Sequence, residues 1–390
     1  MAKKTEYLTV TGRLGALAVL AVAAAEVLIM ITPFAGFFYA SLQFEPLLGF
    51  LSNSPLTAWL DGFFLNHAVV TTSLLLEWQR KVGVVLIALG LVGFFLSAFQ
   101  VYGNKIGKRG VATGLLYRFV QHPQYLCLGI AGWGLLTMWP RFLLLGIWVT
   151  MLFLYTGLAR VEERRMEERF GDDYRRFADT RGAFLPGSPV HRLFEGTFGK
   201  MRPRALAWAS AYLFCLALAF SLGFALRTYT RASTATLVQP QHHTVVVSAW
   251  PKPEEWMEKV FQAALSDEQV RQRLQEVQGD RPAVATILPP KYGMKGMYYT
   301  RPRNEGNSAQ NGGPLMGVDP DTVKEPVELV FSRAEKPYRE RLALEDALDV
   351  DVRLTPLVVV NVNPASGKIT GVQIPLPQNA WGPKVVMPLF

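Results

Sequence analysis

The sequence predicts an all-α polytopic membrane domain, with about five transmembrane helices and a helical hairpin, followed by a soluble α+β domain. Half of the 390 residues are apolar and only 18% are charged, which is a low charged share for a soluble protein. The apolar residues are concentrated before residue 230. Residues 1–230 carry 22 Lys and Arg against 13 Asp and Glu, whereas residues 231–390 carry 18 of each. We therefore expect a membrane domain over 1–230 and a soluble extension over 231–390.

The positive excess fits a membrane protein with Lys- and Arg-rich cytoplasmic loops. The polar half has no basic stripe with interleaved aromatic residues, so nucleic acid is not expected as a partner. The two cysteines of the chain, Cys127 and Cys215, both lie in apolar segments. They form neither a disulfide framework nor a zinc-binding spacing, and we expect no metal site.

The first half of the membrane domain contains two predicted spans. An apolar run from Leu14 to about Tyr39 is too long for a signal-peptide core and reads as a retained membrane helix. Glu26 lies in its middle, and its role stays open. Residues 41–80 are apolar but interrupted, which favours short interfacial or re-entrant helices. Val82 to about Val101 is a second span, and the basic, Gly-rich segment 103–110 after it is expected to be cytoplasmic.

The second half contains the predicted hairpin and a last span. Tyr125–Trp139 and Phe142–Leu158 are apolar segments separated by a Pro-Arg pair, which indicates a hairpin that leaves and re-enters on the cytoplasmic side. Residues 160–178 are predicted to form a charged amphipathic helix, and residues 187–204 are predicted to form a loop. Ala205–Leu226 is the last span, which places the extension on the far side of the membrane.

Arg227 and Arg231, at the exit of that last span, count against this sidedness.

The extension has the pattern of an α+β domain. Pro253–Gln278 is helical in pattern, with Ser266 and Gln269 as a capping box. The apolar alternation predicts strands at Val327–Phe331, Leu357–Val362 and Lys368–Pro375, the last two forming a hairpin. No nucleophile and base pair and no phosphate-binding loop is visible here, so the extension carries no predicted chemistry of its own and is a candidate for docking a protein partner.

Polar residues gather at the mouth of the hairpin. His122, Pro123 and Tyr125 precede its first apolar segment, and Glu162 and Glu163 follow its second. Ionisable groups at the ends of membrane helices are costly to place and usually functional. A carboxylate pair can neutralise a sulfonium or ammonium cation where water is scarce. The proline fixes the turn into the helix and so holds the neighbouring His and Tyr.

Residues 114–186 carry two elements in a specific order and separation. These are Gly114-x-x-Tyr117…Gln121-His122-Pro123-Gln124-Tyr125 and Glu162-Glu163-x-x-Met166…Phe170-Gly171-x-x-Tyr174-x-x-Phe177…Phe184-Leu185-Pro186. Together they resemble the isoprenylcysteine carboxyl methyltransferase and phospholipid methyltransferase superfamily. In that family a membrane hairpin separates an Arg-His-Pro-x-Tyr-x-Gly element from a Glu-Glu-x-x-Leu…Phe-Gly-x-x-Tyr-x-x-Tyr element.

The resemblance implies methyl transfer from S-adenosylmethionine in a cytoplasm-facing pocket. It also implies a lipid-like acceptor that enters from the bilayer: a prenylated or lipidated protein end, a phospholipid amine or an isoprenoid. The implied catalytic residues are His122 and Glu163. The implied cofactor-binding residues are Tyr117, Gln121, His122, Pro123, Tyr125, Glu162, Glu163 and Tyr174.

The chain departs from the family pattern at four positions. Cys127 replaces a Gly, Met166 a Leu and Phe177 a Tyr. Gln121 replaces an Arg, which removes a fixed charge and a five-donor fork from the site. This loss supports an alternative hypothesis, in which the chain is a non-catalytic scaffold subunit and its extension docks a partner in a membrane complex. The retained carboxylate pair facing a histidine favours the enzyme, because a scaffold has no need for it.

Overall fold

The computed structural model describes residues 28, 31–37, 50–51, 53–67, 69–107, 110–186, 189–289, 326–375, 378–379 and 382–383. The chain divides into two compact units. One unit comprises Met1–Leu42, Lys81–Met138 and Leu144–Phe220 and is mainly helical where it is described. The other comprises Gln43–Arg80, Trp139–Leu143 and Ser221–Phe390 and contains a β-sheet. The domain boundary expected near residue 230 stays a prediction.

Helices dominate the first part of the described chain. They are α1 (Leu74–Ile106), α2 (Pro123–Met138), α3 (Phe142–Phe170), α4 (Asp172–Asp179), α5 (Pro189–Phe198) and α6 (Arg204–Ala232). Among the described residues, α1, α3 and α6 are long and apolar enough to cross a membrane. They contain the predicted span at Val82–Val101, the second arm of the hairpin and the last span.

The count of five spans is not confirmed. Helix α2 has 16 residues, which is shorter than a typical membrane span. The first predicted span, Leu14–Tyr39, lies mostly outside the described residues. Residues 28 and 31–37 of it are described, and they are helical. A helical membrane protein with a separate sheet region is what the structure supports.

The predicted hairpin is present between α2 and α3. The backbone turns at Trp139–Arg141, where Pro140 ends the helical pattern, and its carbonyl accepts a hydrogen bond from the Phe64 nitrogen at 2.8 Å. The Arg141 guanidinium forms an ion pair with the Asp61 carboxylate and donates to the Asp61 carbonyl at 2.8 Å. The turn is therefore fixed by residues of the segment before α1.

The prediction of a separate charged helix at residues 160–178 is wrong. Helix α3 continues without interruption through the charged residues to Phe170, because no Gly or Pro occurs between Leu158 and Phe170. The break comes at Gly171, which has a φ of +53°, a conformation that residues with a Cβ rarely adopt. The short helix α4 then starts at Asp172.

The prediction of a loop at residues 187–204 is also wrong over most of that segment, because the segment contains helix α5. Val190, Leu193, Phe194 and Phe198 follow one another at spacings of three, one and four, which is the pattern of an amphipathic helix.

Small residues bring α1 and α2 close together. A Cβ added at Gly90 would lie 2.6 Å from both the Ala131 nitrogen and the Cys127 oxygen. One added at Gly134 would lie 2.5 Å from the Gly83 oxygen. Only glycines permit this backbone contact, which is the usual way that membrane helices pack closely.

The second unit is built on a six-stranded sheet. Its strands are β1 (Thr236–Gln239), β2 (Thr244–Ser248), β3 (Ala283–Leu288), β4 (Val327–Glu335), β5 (Arg353–Val362) and β6 (Ile369–Gln373), in that spatial order. Only β2 and β3 pair in parallel, and the crossover between them contains α7 (Glu254–Leu265) and α8 (Glu268–Gln278). A separate two-stranded pair consists of β7 (Gln378–Asn379) and β8 (Gly382–Pro383). The predicted β5–β6 hairpin and the strand at Val327 are confirmed.

The predicted capping box at Ser266 and Gln269 is wrong. Residue Asp267 caps α8 instead, and its carboxylate accepts hydrogen bonds from the backbone nitrogens of Gln269 and Val270. The single helix expected over Pro253–Gln278 is therefore two helices, which meet at this cap.

Candidate active site

The backbone before α2 holds His122 in a fixed position. Residues 120–122 run alongside residues 182–183, with Val120 and Gly182 forming a parallel bridge. The His122 nitrogen donates to the Ala183 carbonyl at 3.0 Å. Pro123 then begins α2, where its ring suits the first turn and its missing N–H costs nothing. The histidine is thus held at the N-terminal end of α2 by the strand-like segment that follows α4.

Two adjacent glutamates of α3 face this histidine. His122 Nε2 lies 3.0 Å from Glu163 Oε1, and Nδ1 lies 3.5 Å from Glu162 Oε2. The Tyr125 hydroxyl donates to Glu162 Oε1 at 2.6 Å. The structure therefore brings together His122, Tyr125, Glu162 and Glu163, which sequence reasoning had placed in one site from two separate elements.

The electrostatics of the cluster favour a protonated histidine. Burial by itself lowers the pKa of His122, but hydrogen bonds to Glu162 and Glu163 and their negative charges outweigh it, and the pKa is raised above its ordinary value. The histidine side chain is 6% exposed, whereas the two glutamate side chains are 44% and 32% exposed. The carboxylates can therefore receive a ligand from outside while the histidine supports them from behind.

Aromatic rings extend from this cluster along α3. The His122 ring lies 5.9 Å from both the Phe184 and Tyr125 rings, and Tyr125 stacks on Tyr155 at 4.9 Å. Sequence reasoning missed Tyr155. The spacing between Tyr155 and Glu162 could have revealed it, because seven residues make about two helical turns and put both side chains on one face of α3.

Gln121 and Tyr174 lie behind the cluster. Gln121 Nε2 donates to the backbone carbonyls of Ala178 at 3.1 Å and Arg181 at 2.5 Å. Its Oε1 lies 3.5 Å from the Tyr174 hydroxyl. The Gln121 amide thus joins the start of α2 to the end of α4, and its donors point at carbonyls rather than at the glutamates.

Tyr117 and Cys127 are also buried. The Tyr117 ring packs with Ala112, Tyr174 and Phe177, and burial, followed by the charge of Glu162, raises its pKa. Cys127 lies opposite Gly93, where an added Cβ would be 2.6 Å from the sulfur. It fills the contact between α1 and α2. The described residues contain no group of three or more His, Cys, Asp or Glu side chains arranged to hold a metal ion.

Comparison with known proteins identifies the same region. The phospholipid methyltransferase family model matches residues 78–173. The chain is 32% identical over 103 residues to methanethiol S-methyltransferase 1 of Bradyrhizobium diazoefficiens, covering 24% of the chain and 35% of that protein. It is 29% identical over 141 residues to methanethiol S-methyltransferase of Pseudomonas deceptionensis, covering 34% of the chain and 50% of that protein.

These matches confirm the resemblance to the membrane methyltransferase superfamily and support methyl transfer. The chain spans no more than about half the length of these curated relatives. No solved structure matches significantly.

Proposed function

We propose that this protein is an S-adenosylmethionine-dependent methyltransferase whose acceptor is lipid-like and enters from the bilayer. The observation that carries the proposal is His122 held between Glu162 and Glu163 inside the segment that the family model matches. The alternative of a non-catalytic scaffold gives no reason for a buried histidine to support two carboxylates that a ligand can reach.

The residues present fit the cofactor. S-adenosylmethionine has a sulfonium, an amino group and ribose hydroxyls, and the partly exposed carboxylates of Glu162 and Glu163 suit such cationic or hydroxyl groups. When bound, it supplies the methyl group. Tyr125 and His122 line the same site, and Tyr117, Gln121, Pro123 and Tyr174 hold the supporting backbone and rings in place.

Positioning is the main contribution that we assign to the protein. Methyl transfer needs an aligned donor and acceptor in a site with little water, and little covalent help. The bonds from Tyr125 to Glu162 and from His122 to Glu163 fix both carboxylates. An amine or thiol acceptor must also lose a proton. Glu163, held by His122 Nε2, is the base that we assign to accept it.

The acceptor has two candidate classes. The family model's description favours a phospholipid amine or another lipid-like group. The names of both relatives favour a small thiol instead. Incubation of the purified protein with S-adenosylmethionine carrying a labelled methyl group separates the two. Label extracted with the lipid fraction supports the first class, and label in a volatile thioether after addition of a small thiol supports the second.

Cofactor binding tests the proposal directly. Calorimetry on the detergent-purified chain should detect micromolar binding of S-adenosylmethionine and of S-adenosylhomocysteine. Glu163→Gln and His122→Ala should lose it. Glu167→Gln is the matched control, because Glu167 lies one turn along α3 and pairs with Arg175 outside the cluster. Absence of binding up to millimolar ligand, on a protein with a normal melting transition, would favour the scaffold.

A further inference from the structure

Helix α5 has an apolar face that the described chain covers only in part. Phe194 stacks on Trp208 of α6 at 4.6 Å, and Phe198 contacts Phe214 at 6.1 Å. Val190 and Leu193 continue the same face but are 61% and 71% exposed. The helix is therefore attached to α6 by one side of its apolar face, and the described residues leave the other, open side largely uncovered.

Helix α6 has exposed apolar side chains of its own. Leu206, Leu213 and Phe214 are 49%, 62% and 57% exposed on a helix that is long and apolar enough to span a membrane, and Phe214 is the residue that Phe198 of α5 contacts. Large apolar side chains exposed in such a number on a span are expected to contact lipid. Continuity with this surface indicates that the open side of α5 contacts lipid as well.

Basic residues mark the polar side of α5 and the segment after it. Residues 189–204 contain Arg192, Lys200, Arg202 and Arg204 against a single acidic residue, Glu195. Glu195 pairs with Arg204 at 2.9 Å, within the segment itself. Arg192, Lys200 and Arg202 are exposed. An apolar face with cations on the opposite side is the pattern of a helix that lies in the interface of an anionic membrane.

We propose that α5 and the basic segment up to Arg204 form a binding surface for anionic phospholipid headgroups. Val190 and Leu193 enter the acyl boundary, and Arg192, Lys200 and Arg202 contact the headgroups. Lipid is the occupant that the observations favour, because the apolar side is continuous with a lipid-exposed span and the polar side carries a net charge of the complementary sign.

The surface is connected to the candidate active site by two side chains. Trp208, on which Phe194 stacks, lies under the Arg160 guanidinium at 3.9 Å. Arg160 is three residues before Glu163 on α3 and interacts electrostatically with it. Seating of α5 on the membrane therefore fixes a cation near a proposed catalytic carboxylate. This connection rests on the proposed function, whereas the lipid-binding surface does not.

Photo-crosslinking in lipid nanodiscs identifies the occupant. The full chain carries p-benzoylphenylalanine in place of Leu193, in nanodiscs of phosphatidylcholine and phosphatidylglycerol in equal amounts. The matched control carries it in place of Gln275, an exposed residue of α8. We expect lipid adducts at position 193, enriched in phosphatidylglycerol by about fivefold or more, since one cation near an anionic surface contributes about that factor. Position 275 should give no such enrichment.

Charge variants test the headgroup contact without disturbing the packing of Phe194 and Phe198. The combined variant Arg192→Gln, Lys200→Gln, Arg202→Gln should keep the lipid adduct but lose the preference for phosphatidylglycerol. The proposal would be overturned if position 193 of the unaltered chain gave phosphatidylglycerol and phosphatidylcholine adducts in equal amounts. A crosslink to protein, or no adduct at position 193, would overturn it as well. The readout does not depend on methyl transfer, so an inactive protein that shows the lipid preference would contradict the proposed function alone.

Discussion

His122 combines burial with two nearby negative charges, and the balance between them sets how the site responds to pH. Its pKa is raised because Glu162 and Glu163 outweigh burial. A raised pKa in the folded state means that the ion pairs stabilise the fold fully below the unfolded value of 6.5 and lose that contribution as pH rises through the folded value. The proposed base Glu163 is thus best held in slightly acid to neutral solution.

A melting experiment measures this dependence. As pH increases above about 6.5, the melting temperature of the wild-type chain should fall relative to that of His122→Gln, which cannot titrate there. In Glu163→Gln the decline should begin at a lower pH, because one of the two carboxylates has lost its charge. If the melting temperatures of the wild type and of His122→Gln change with pH in parallel from pH 6 to 9, this would contradict the assigned ion pairs.

Gln121 stands where the family has an arginine, and it makes backbone contacts that an arginine side chain could also make. Its amide donates to the carbonyls of Ala178 and Arg181, and an arginine could donate to the same groups. Gln121→Glu puts a carboxylate oxygen against both carbonyls and should cost about 1–3 kcal/mol of unfolding free energy. Gln121→Arg should retain stability and S-adenosylmethionine affinity.

Denaturant unfolding in detergent checks this, with Gln275→Glu as the control for an exposed glutamine. A Gln121→Glu variant as stable as the control would show that the two hydrogen bonds contribute little.

At the scale of the element, the contact between α1 and α2 depends on individual glycines. Gly90→Ala introduces a Cβ 2.6 Å from backbone atoms of Ala131 and Cys127, which cannot move aside without separating the helices. Gly103→Ala on the same helix meets nothing within 4 Å and gains helix propensity. We therefore expect Gly90→Ala to lower the melting temperature by several degrees and Gly103→Ala to leave it unchanged or raise it. Equal effects would mean that α1 and α2 are not in close contact.

The elements also show what sequence reasoning can and cannot reach. Apolar length predicted the helices that can span, and the two motif elements predicted that Glu162 and Glu163 would meet His122, because the family supplied the pairing. Helix α5 was missed because charged, polar and Gly residues separate Val190 from Leu193 and Phe194 from Phe198, so that only the helical spacing of the apolar residues reveals it. The order of the six strands depends on contacts distant in sequence, which no local pattern encodes. The Asp267 cap is a local contact with Gln269 and Val270, and an Asp just before the helix was the signal for it.

At the scale of the whole molecule, the distribution of basic residues predicts which side each part faces. Helix α6 follows Lys200 and Arg202, and its 29 residues extend about 44 Å, which exceeds the thickness of a bilayer core. The arginines at its other end, which count against this orientation by the positive-inside rule, have partners within the protein. Arg227 donates to the carbonyls of Phe63 and Leu348, and Arg231 pairs with Asp349 at 3.7 Å. Their positions are explained by packing in the second unit rather than by a cytoplasmic loop.

Cysteine labelling in cells tests the sidedness that follows. If α6 crosses once from the cytoplasm, the sheet after it lies outside and the charged end of α3 lies inside. A membrane-impermeant maleimide should therefore label Gln275→Cys in intact cells and Glu168→Cys only after permeabilisation, both positions being exposed. The native Cys127 and Cys215 lie on α2 and α6, and the unsubstituted chain controls for their labelling. The reverse pattern would place the extension in the cytoplasm and the proposed site outside, and equal labelling would mean that α6 does not cross.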